Sequence, residues 1–194
     1  MKLRELADFN LLETDIHKTS FITPPPILDT LLASNIPFTV VGAIAVNCYI
    51  DRPRNSQDID VLTHKPEELV DYVSKIYPNL ERKASEAVIR FSRAGKEVLD
   101  IMVPYHEIFK QAMRDTRKRG HITVPSPEAL IVMKFAAILA KSRRATDKLQ
   151  DRTDIARILD NQKISIEKIN RHLVCLYPEA VSDFKIFIKK LHQI

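Results

Sequence analysis

The clearest alternation of apolar and polar positions lies in "DIDVLT", residues 58 to 63. Ile59 and Val61 fall on one side and Asp58 and Asp60 on the other, the period of a half-buried strand. "EAVIRFSR" and "KEVLDIMV" read as two further strands separated by Ala94-Gly95, a hairpin signal. Upstream, "PFTVV" (37–41) is a β-branched strand that Gly42 ends, and "AIAVNCYI" follows with helical composition. "DRPRNSQ" is a loop, and "PEELVDYVSKIYP" an amphipathic helix with Pro66 near its start. "TPPPILDTLLASNI" gives a proline stop, then a short helix carrying Ile27, Leu28, Leu31 and Leu32.

Beyond residue 105 the pattern turns helical. "HEIFKQAMRDTRKRG" predicts a helix closing on Gly120. "SPEALIVMKFAAILAKSRR" predicts one with Ser126 as N-cap and Pro127 in its first turn. "TDKLQDRTDIARILD" starts another at Thr146, and two more cover 165–176 and 178–192. The expected class is α/β (α+β), with an α/β domain over residues 1–122 and a helical domain over 123–194.

Composition narrows the partners. The 194 residues are 45% hydrophobic and 28% charged, ordinary for a soluble globular chain, and the net charge of +5 suits an anionic partner. Cys48 and Cys175 are far apart and lack metal spacing, which fits a reducing, cytoplasmic setting. The N-terminal twenty residues carry charges throughout, with no apolar h-region of a signal peptide, and no apolar run approaches a membrane span. The six histidines are scattered without His-x-His or His-x3-His pairs, which argues against zinc.

The candidate chemistry starts at Asp58 and Asp60. Two carboxylates on one strand face repel unless a cation lies between them, and oxygen ligands suit a divalent metal. Asp100, inside another predicted strand, would converge on them if the two strands are neighbours. Three converging carboxylates can hold one or two Mg²⁺ ions against a triphosphate. Structural ion pairs can mimic such a site, so the carboxylates alone leave both readings open. Gly42, followed by small Ala43, sits at a strand-to-helix junction where backbone can approach a phosphate; an ordinary tight turn is the alternative.

"VVGAIAVNCYIDRPRNSQDIDVLT" resembles the core of the nucleotidyltransferase fold shared with DNA polymerase β. Val41-Gly42-Ala43, Asp58/Asp60 and Asp100 match the family pattern in turn. The string Arg54-x-Ser56-x-Asp58-Ile59-Asp60 is similar to the AbiEii-type branch, the toxin halves of toxin–antitoxin pairs. A second block, Lys134 to Ala137 with Asp151 and Asp154, resembles that branch's C-terminal motifs. Many relatives carry Gly-Gly or Gly-Ser where this chain has Gly42-Ala43, and alanine cannot hydrogen-bond a phosphate through its side chain.

The resemblance implies a Mg²⁺-dependent (or Mn²⁺-dependent) enzyme. It would transfer a nucleoside monophosphate from an NTP to an acceptor hydroxyl on RNA such as tRNA, or on protein, with a cognate antitoxin as partner. Asp58, Asp60 and Asp100 would be catalytic and hold the metal. Gly42, Ala43, Arg54, Ser56, Lys134, Asp151 and Asp154 would serve the nucleotide. Physically, Lys134 in an apolar helix either snorkels to water or aims its charge into a cleft. Asp147, Asp151 and Asp154 share a helix face that is either solvated or paired to Arg143 and Arg144. The basic runs "RDTRKRG" and "KSRR" either guide RNA or are solvated surface. The rival function is a catalytically degenerate module that binds a nucleotide or a protein partner.

Overall fold

Two parallel strands at the centre of one sheet organise the molecule. The computed structural model describes residues 27–56 and 58–191; the proline stop at 24–26, the N-terminal segment before it and Gln57 lie outside them. In chain order the elements are α1 (Ile27–Ala33), β1 (Thr39–Val40), α2 (Gly42–Asn47), β2 (Ile59–Leu62) and α3 (Pro66–Ile76). Next come β3 (Glu81–Ala84), β4 (Val88–Arg93), β5 (Lys96–Met102), α4 (Glu107–Arg114), β6 (Thr116–Arg119) and β7 (Ile122–Pro125). Four helices follow: α5 (Pro127–Leu139), α6 (Ala145–Asn161), α7 (Ile166–Leu173) and α8 (Ala180–Leu191).

The main sheet has five strands in the order β1-β2-β5-β4-β3. β2 and β5 run parallel, with Ile59 opposite Leu99, Asp60 opposite Asp100 and Val61 opposite Ile101. The apolar members of these pairs are buried, so the alternation read in "DIDV" and "VLDI" sends one face into the core and presents the carboxylates on the other. The other pairings within this sheet are antiparallel. β4 and β5 join through Ala94 and Gly95, whose φ angles of 50° and 75° fit a tight turn with two left-handed residues. β3 is polar and exposed, a charged edge that discourages further pairing and that no hydrophobic alternation announces. β1 is shorter than the sequence pattern predicts, because beyond Val40 only the Val41 N–H continues, donating to the Asp60 carbonyl at 2.9 Å.

One predicted helix is cut short. α4 ends at Arg114, and the rest of "RDTRKRG" forms β6, paired antiparallel to β7. Gly120, with φ 55°, belongs to the turn of this hairpin rather than to a helix end. Ile122 and Val124 bury their side chains, and burial of β-branched residues outweighs the helical composition upstream.

α5 starts where expected, with the Ser126 hydroxyl accepting from the Ala129 N–H at 3.2 Å and Pro127 in the first turn. It is apolar almost all round and packs against α4, α6 and α7, with β7 and α2 also touching it. Most of the buried apolar residues form one cluster that runs from Ile27 to Phe184, so strand and helix regions share a core, and Val41, Leu62, Ala112 and Ala129 form a second, small one. Among the described residues no helix is long and apolar enough to cross a membrane.

Candidate active site

A row of charged residues crosses the sheet. Asp60 on β2 pairs in register with Asp100 on β5, and Asp100 pairs with Arg90 on β4. Cross-strand partners project from the same face, so the three side chains stand side by side. Asp58, just before β2, joins them; the Ser56 hydroxyl donates to its carbonyl at 2.9 Å and lies 3.3 Å from Oδ1.

A β-bulge brings in a fourth acid. Phe91 pairs with Leu99 but Ser92 pairs with Glu97, which leaves Val98 as the extra residue. The extra residue restores Glu97 to the face of Arg90 and Asp100, although it lies three positions from Asp100. Carboxylate oxygens of Asp58, Glu97 and Asp100 lie within 4.8 Å of one another. The sequence pattern singles out neither Glu97 nor Arg90. A simple strand alternation puts Glu97 on the wrong face, and Arg90 shows only as a charge inside a strand.

Asp60 is seated differently. Its Oδ2 lies 1.8 Å from where a Cβ on Gly42 would stand, and Gly42 has φ +62°. The missing side chain at Gly42 therefore makes room for the Asp60 carboxylate. Burial, then the nearby charges of Asp58 and Asp100, pushes Asp60 up to about 7, against the opposing pull of Lys134 and Arg143. Burial and then Asp100 likewise raise Asp58. Among the described residues neither of these two carboxylates has an ion-pair partner within 4 Å, whereas Asp100 has a cation in direct contact. Arg90 donates to it through Nε at 2.8 Å and Nη2 at 2.6 Å. Arg90 also donates to Glu97.

Lys134 neither snorkels nor stands free. It is buried on α5, with Nζ 2.8 Å from Asp151 Oδ1 and 2.8 Å from Asp154 Oδ2, both on α6. Arg143 Nε bonds the other oxygen of Asp151 at 2.6 Å. Arg54 grips Asp154 bidentately, Nε and Nη2 each at 2.9 Å, and Gln150 adds a bond at 2.9 Å. The acidic face of α6 is thus split: Asp147 pairs with exposed Arg144, while Asp151 and Asp154 are buried within this network.

All these groups surround an open cleft of about 1340 Å³. Gly42, Ala43, Arg54, Ser56, Asp58, Asp60, Asp100, Lys134 and Asp151 line it, and Asp154 stands behind the wall. The donor set is all carboxylate, the hard oxygen ligands that Mg²⁺ and Mn²⁺ take, and three of the acids bring oxygens within 4.8 Å of one another. The residues present fit a divalent metal.

The mixed sheet, the glycine turn before α2 and the acids on β2 and β5 define a nucleotidyltransferase-like fold. Among solved structures the chain is similar to the polyadenylate synthase of Megavirus, at 15% identity and a TM-score of 0.54. That match covers 80% of this chain and 36% of the viral one, so the chain spans about a third of that protein's length. It is similar to ANT(2'')-Ia in complex with adenylyl-2''-tobramycin, at 16% identity and a TM-score of 0.52, over 84% of this chain and 94% of that one. JHP933 from Helicobacter pylori matches with 16% identity and a TM-score of 0.52, over 84% and 77%. No protein-family model and no curated protein sequence matches the chain.

Proposed function

We propose that this protein is a divalent-metal-dependent nucleotidyltransferase that moves a nucleoside monophosphate from an NTP to an acceptor hydroxyl. The observation that carries the reading is the register pairing of Asp60 with Asp100 beside Asp58, in a cleft that also holds Lys134. In this reaction the acceptor oxygen bonds to the α-phosphorus, the bond to the bridging oxygen breaks, pyrophosphate leaves and the hydroxyl proton goes to a base. Asp58, Asp60 and Asp100 would hold Mg²⁺ or Mn²⁺, with Glu97 adjacent; the bound metal would supply charge stabilisation for the attacking and leaving oxygens. Asp100 takes the hydroxyl proton in this reading. Gly42 and Ala43 form the cleft wall against which the triphosphate rests, and Ala43 leaves that contact to the backbone. Lys134, backed by Asp151 and Asp154, faces the departing phosphates with Arg143 beside it. Arg54 and Ser56 hold the loop that carries Asp58.

The finer reading is an RNA acceptor such as tRNA, in a toxin of the AbiEii-like kind paired with an antitoxin. Exposed Arg117 and Lys118 on the β6–β7 hairpin, and Arg144 at the cleft, supply cations for a phosphate backbone. A protein acceptor fits the cleft chemistry equally. The cytoplasmic setting and a helical unit over 123–194 belong to the same reading.

One observation favours the rival, a degenerate binding module: Arg90 already occupies Asp100. Incubation with Mg²⁺, each labelled NTP in turn and total RNA or protein separates the two. Transfer of label, lost in Asp58→Ala and Asp60→Ala with folding intact, supports the enzyme. Nucleotide binding without transfer to any acceptor supports the module. Transfer by the doubly substituted protein at the wild-type rate removes these aspartates from the site.

A further inference from the structure

We propose that Arg90 is a built-in counter-ion of the acidic cluster, which keeps free divalent metal out of the site until a triphosphate arrives to take the guanidinium. The proposal rests on the nucleotidyltransferase reading and adds to it a residue that sets the order of binding.

Of the three clustered carboxylates, Arg90 holds two. Its fork takes both oxygens of Asp100, at 2.8 and 2.6 Å, and its remaining nitrogen bonds Glu97. A guanidinium stays charged at any physiological pH, so it cannot vacate the site by losing a proton. A metal that ligates Asp100 and Glu97 must break a bidentate pair to a buried carboxylate, the strongest kind of side-chain hydrogen bond. With no new partner for Arg90, that exchange returns little. The fork neutralises charge that would otherwise attract the metal.

A triphosphate changes the balance. The Arg90 side chain is 41% exposed and lines the same cleft as Asp58 and Lys134, so its head can leave Asp100 without unfolding β4. Two oxygens of a tetrahedral phosphate can accept the paired N–H donors of the fork, as the two oxygens of a carboxylate do. Metal and nucleotide then bind with positive coupling, a relation that by linkage holds in both directions. The bulge at Val98 is what allows one arginine to reach both acids, because it returns Glu97 to the face of Asp100.

The test is a titration of the full chain with Mn²⁺ alone, followed by the loss of the free-Mn²⁺ paramagnetic resonance signal. Wild type should bind weakly. Arg90→Gln should bind Mn²⁺ on the order of tenfold more tightly, within the usual span of coupling energies. Arg90→Lys keeps the charge but loses the fork, and should gain several-fold. Adding Asp100→Asn to Arg90→Gln should erase the gain, which locates it. Unchanged or weaker Mn²⁺ affinity in both single variants overturns the proposal. The nucleotidyltransferase reading fails separately: it falls if neither wild type nor Arg90→Gln binds ATP, GTP, CTP or UTP in the presence of Mn²⁺. Metal-dependent nucleotide binding by wild type, with the same affinity for Mn²⁺ alone in all three proteins, overturns only the role of Arg90.

Discussion

A Cβ on Gly42 would stand 1.8 Å from Oδ2 of Asp60. The glycine and the aspartate are therefore one unit: the acid fills the space that the missing side chain leaves, and the turn holds the acid against the cleft.

Gly42→Ala should cost about 1–3 kcal/mol for the left-handed backbone, with the collision in addition. Urea unfolding of a double-mutant cycle separates the two terms. In the Asp60→Ala background the nearest remaining atom is the residue-60 Cβ at 3.1 Å, so the collision should shrink while the backbone cost of about 1–3 kcal/mol persists. Additive effects would show that the carboxylate does not occupy that space in solution.

Asp60 predicts an unusual pH response. Its carboxyl is raised from the ordinary 3.8 to about 7, first by burial and then by Asp58 and Asp100. Between those values the folded protein holds a proton that the unfolded chain has released. The contribution is stabilising at low pH and disappears as pH rises through about 7. In EDTA, Asp60→Asn should melt higher than wild type, by a margin that widens across that interval. Millimolar Mg²⁺ with NTP should raise the wild-type melting temperature and do much less for the variant. A margin that stays flat with pH would remove the shift from Asp60.

Lys134→Ala should destabilise the fold. From the sequence, a lysine in an apolar helix that snorkels to water would be replaced almost without loss. Its burial between Asp151 and Asp154 reverses that expectation, since removing it strands buried charge. Each aspartate keeps an arginine partner, so the loss belongs near the low end for a broken buried pair, about 3 kcal/mol. Thermal melts check this, and nucleotide titrations should show weaker triphosphate binding as well; a wild-type melting temperature would return Lys134 to the surface.

The β6–β7 hairpin gives a salt test for the RNA acceptor. Arg117→Gln with Lys118→Gln should weaken binding of tRNA. The slope of log affinity against log salt should fall by roughly one for each phosphate no longer neutralised. Nucleotide affinity should not change. An unaltered slope would assign the hairpin to solvent.

The parts of the site legible in the sequence are those that follow from local period. Asp58, Asp60 and Asp100 stand out because charges interrupt apolar alternation, and Ser126 because a cap followed by proline marks a helix start. Glu97 is hidden because a single extra residue, Val98, breaks the period on which any such reading depends. Gly42 shows in the sequence as an opening toward phosphate, while the Asp60 side chain that fills the space of its missing Cβ is out of sight. The partners of Lys134 depend on how α5 and α6 pack, a tertiary fact with no local signature. The β6–β7 hairpin escapes a local reading because its basic residues suit a helix equally well, and only the buried Ile122 and Val124 decide the matter.

The clasp between Arg54 and Asp154 spans a hundred positions of chain. Asn47 reinforces it, with its side-chain amide bonded to both the N–H and the carbonyl of Arg54. The irregular segment that delivers Asp58 is therefore registered by a helix far downstream. Among descendants of this sequence, loss of Asp154 takes from Arg54 its only ion-pair partner among the described residues, while loss of Arg54 leaves buried Asp154 to Lys134 and Gln150, so the two should covary, with Arg54 rarely kept once Asp154 is gone. Grafting the "PRNSQDIDV" segment into another scaffold would have to carry this downstream acid with it.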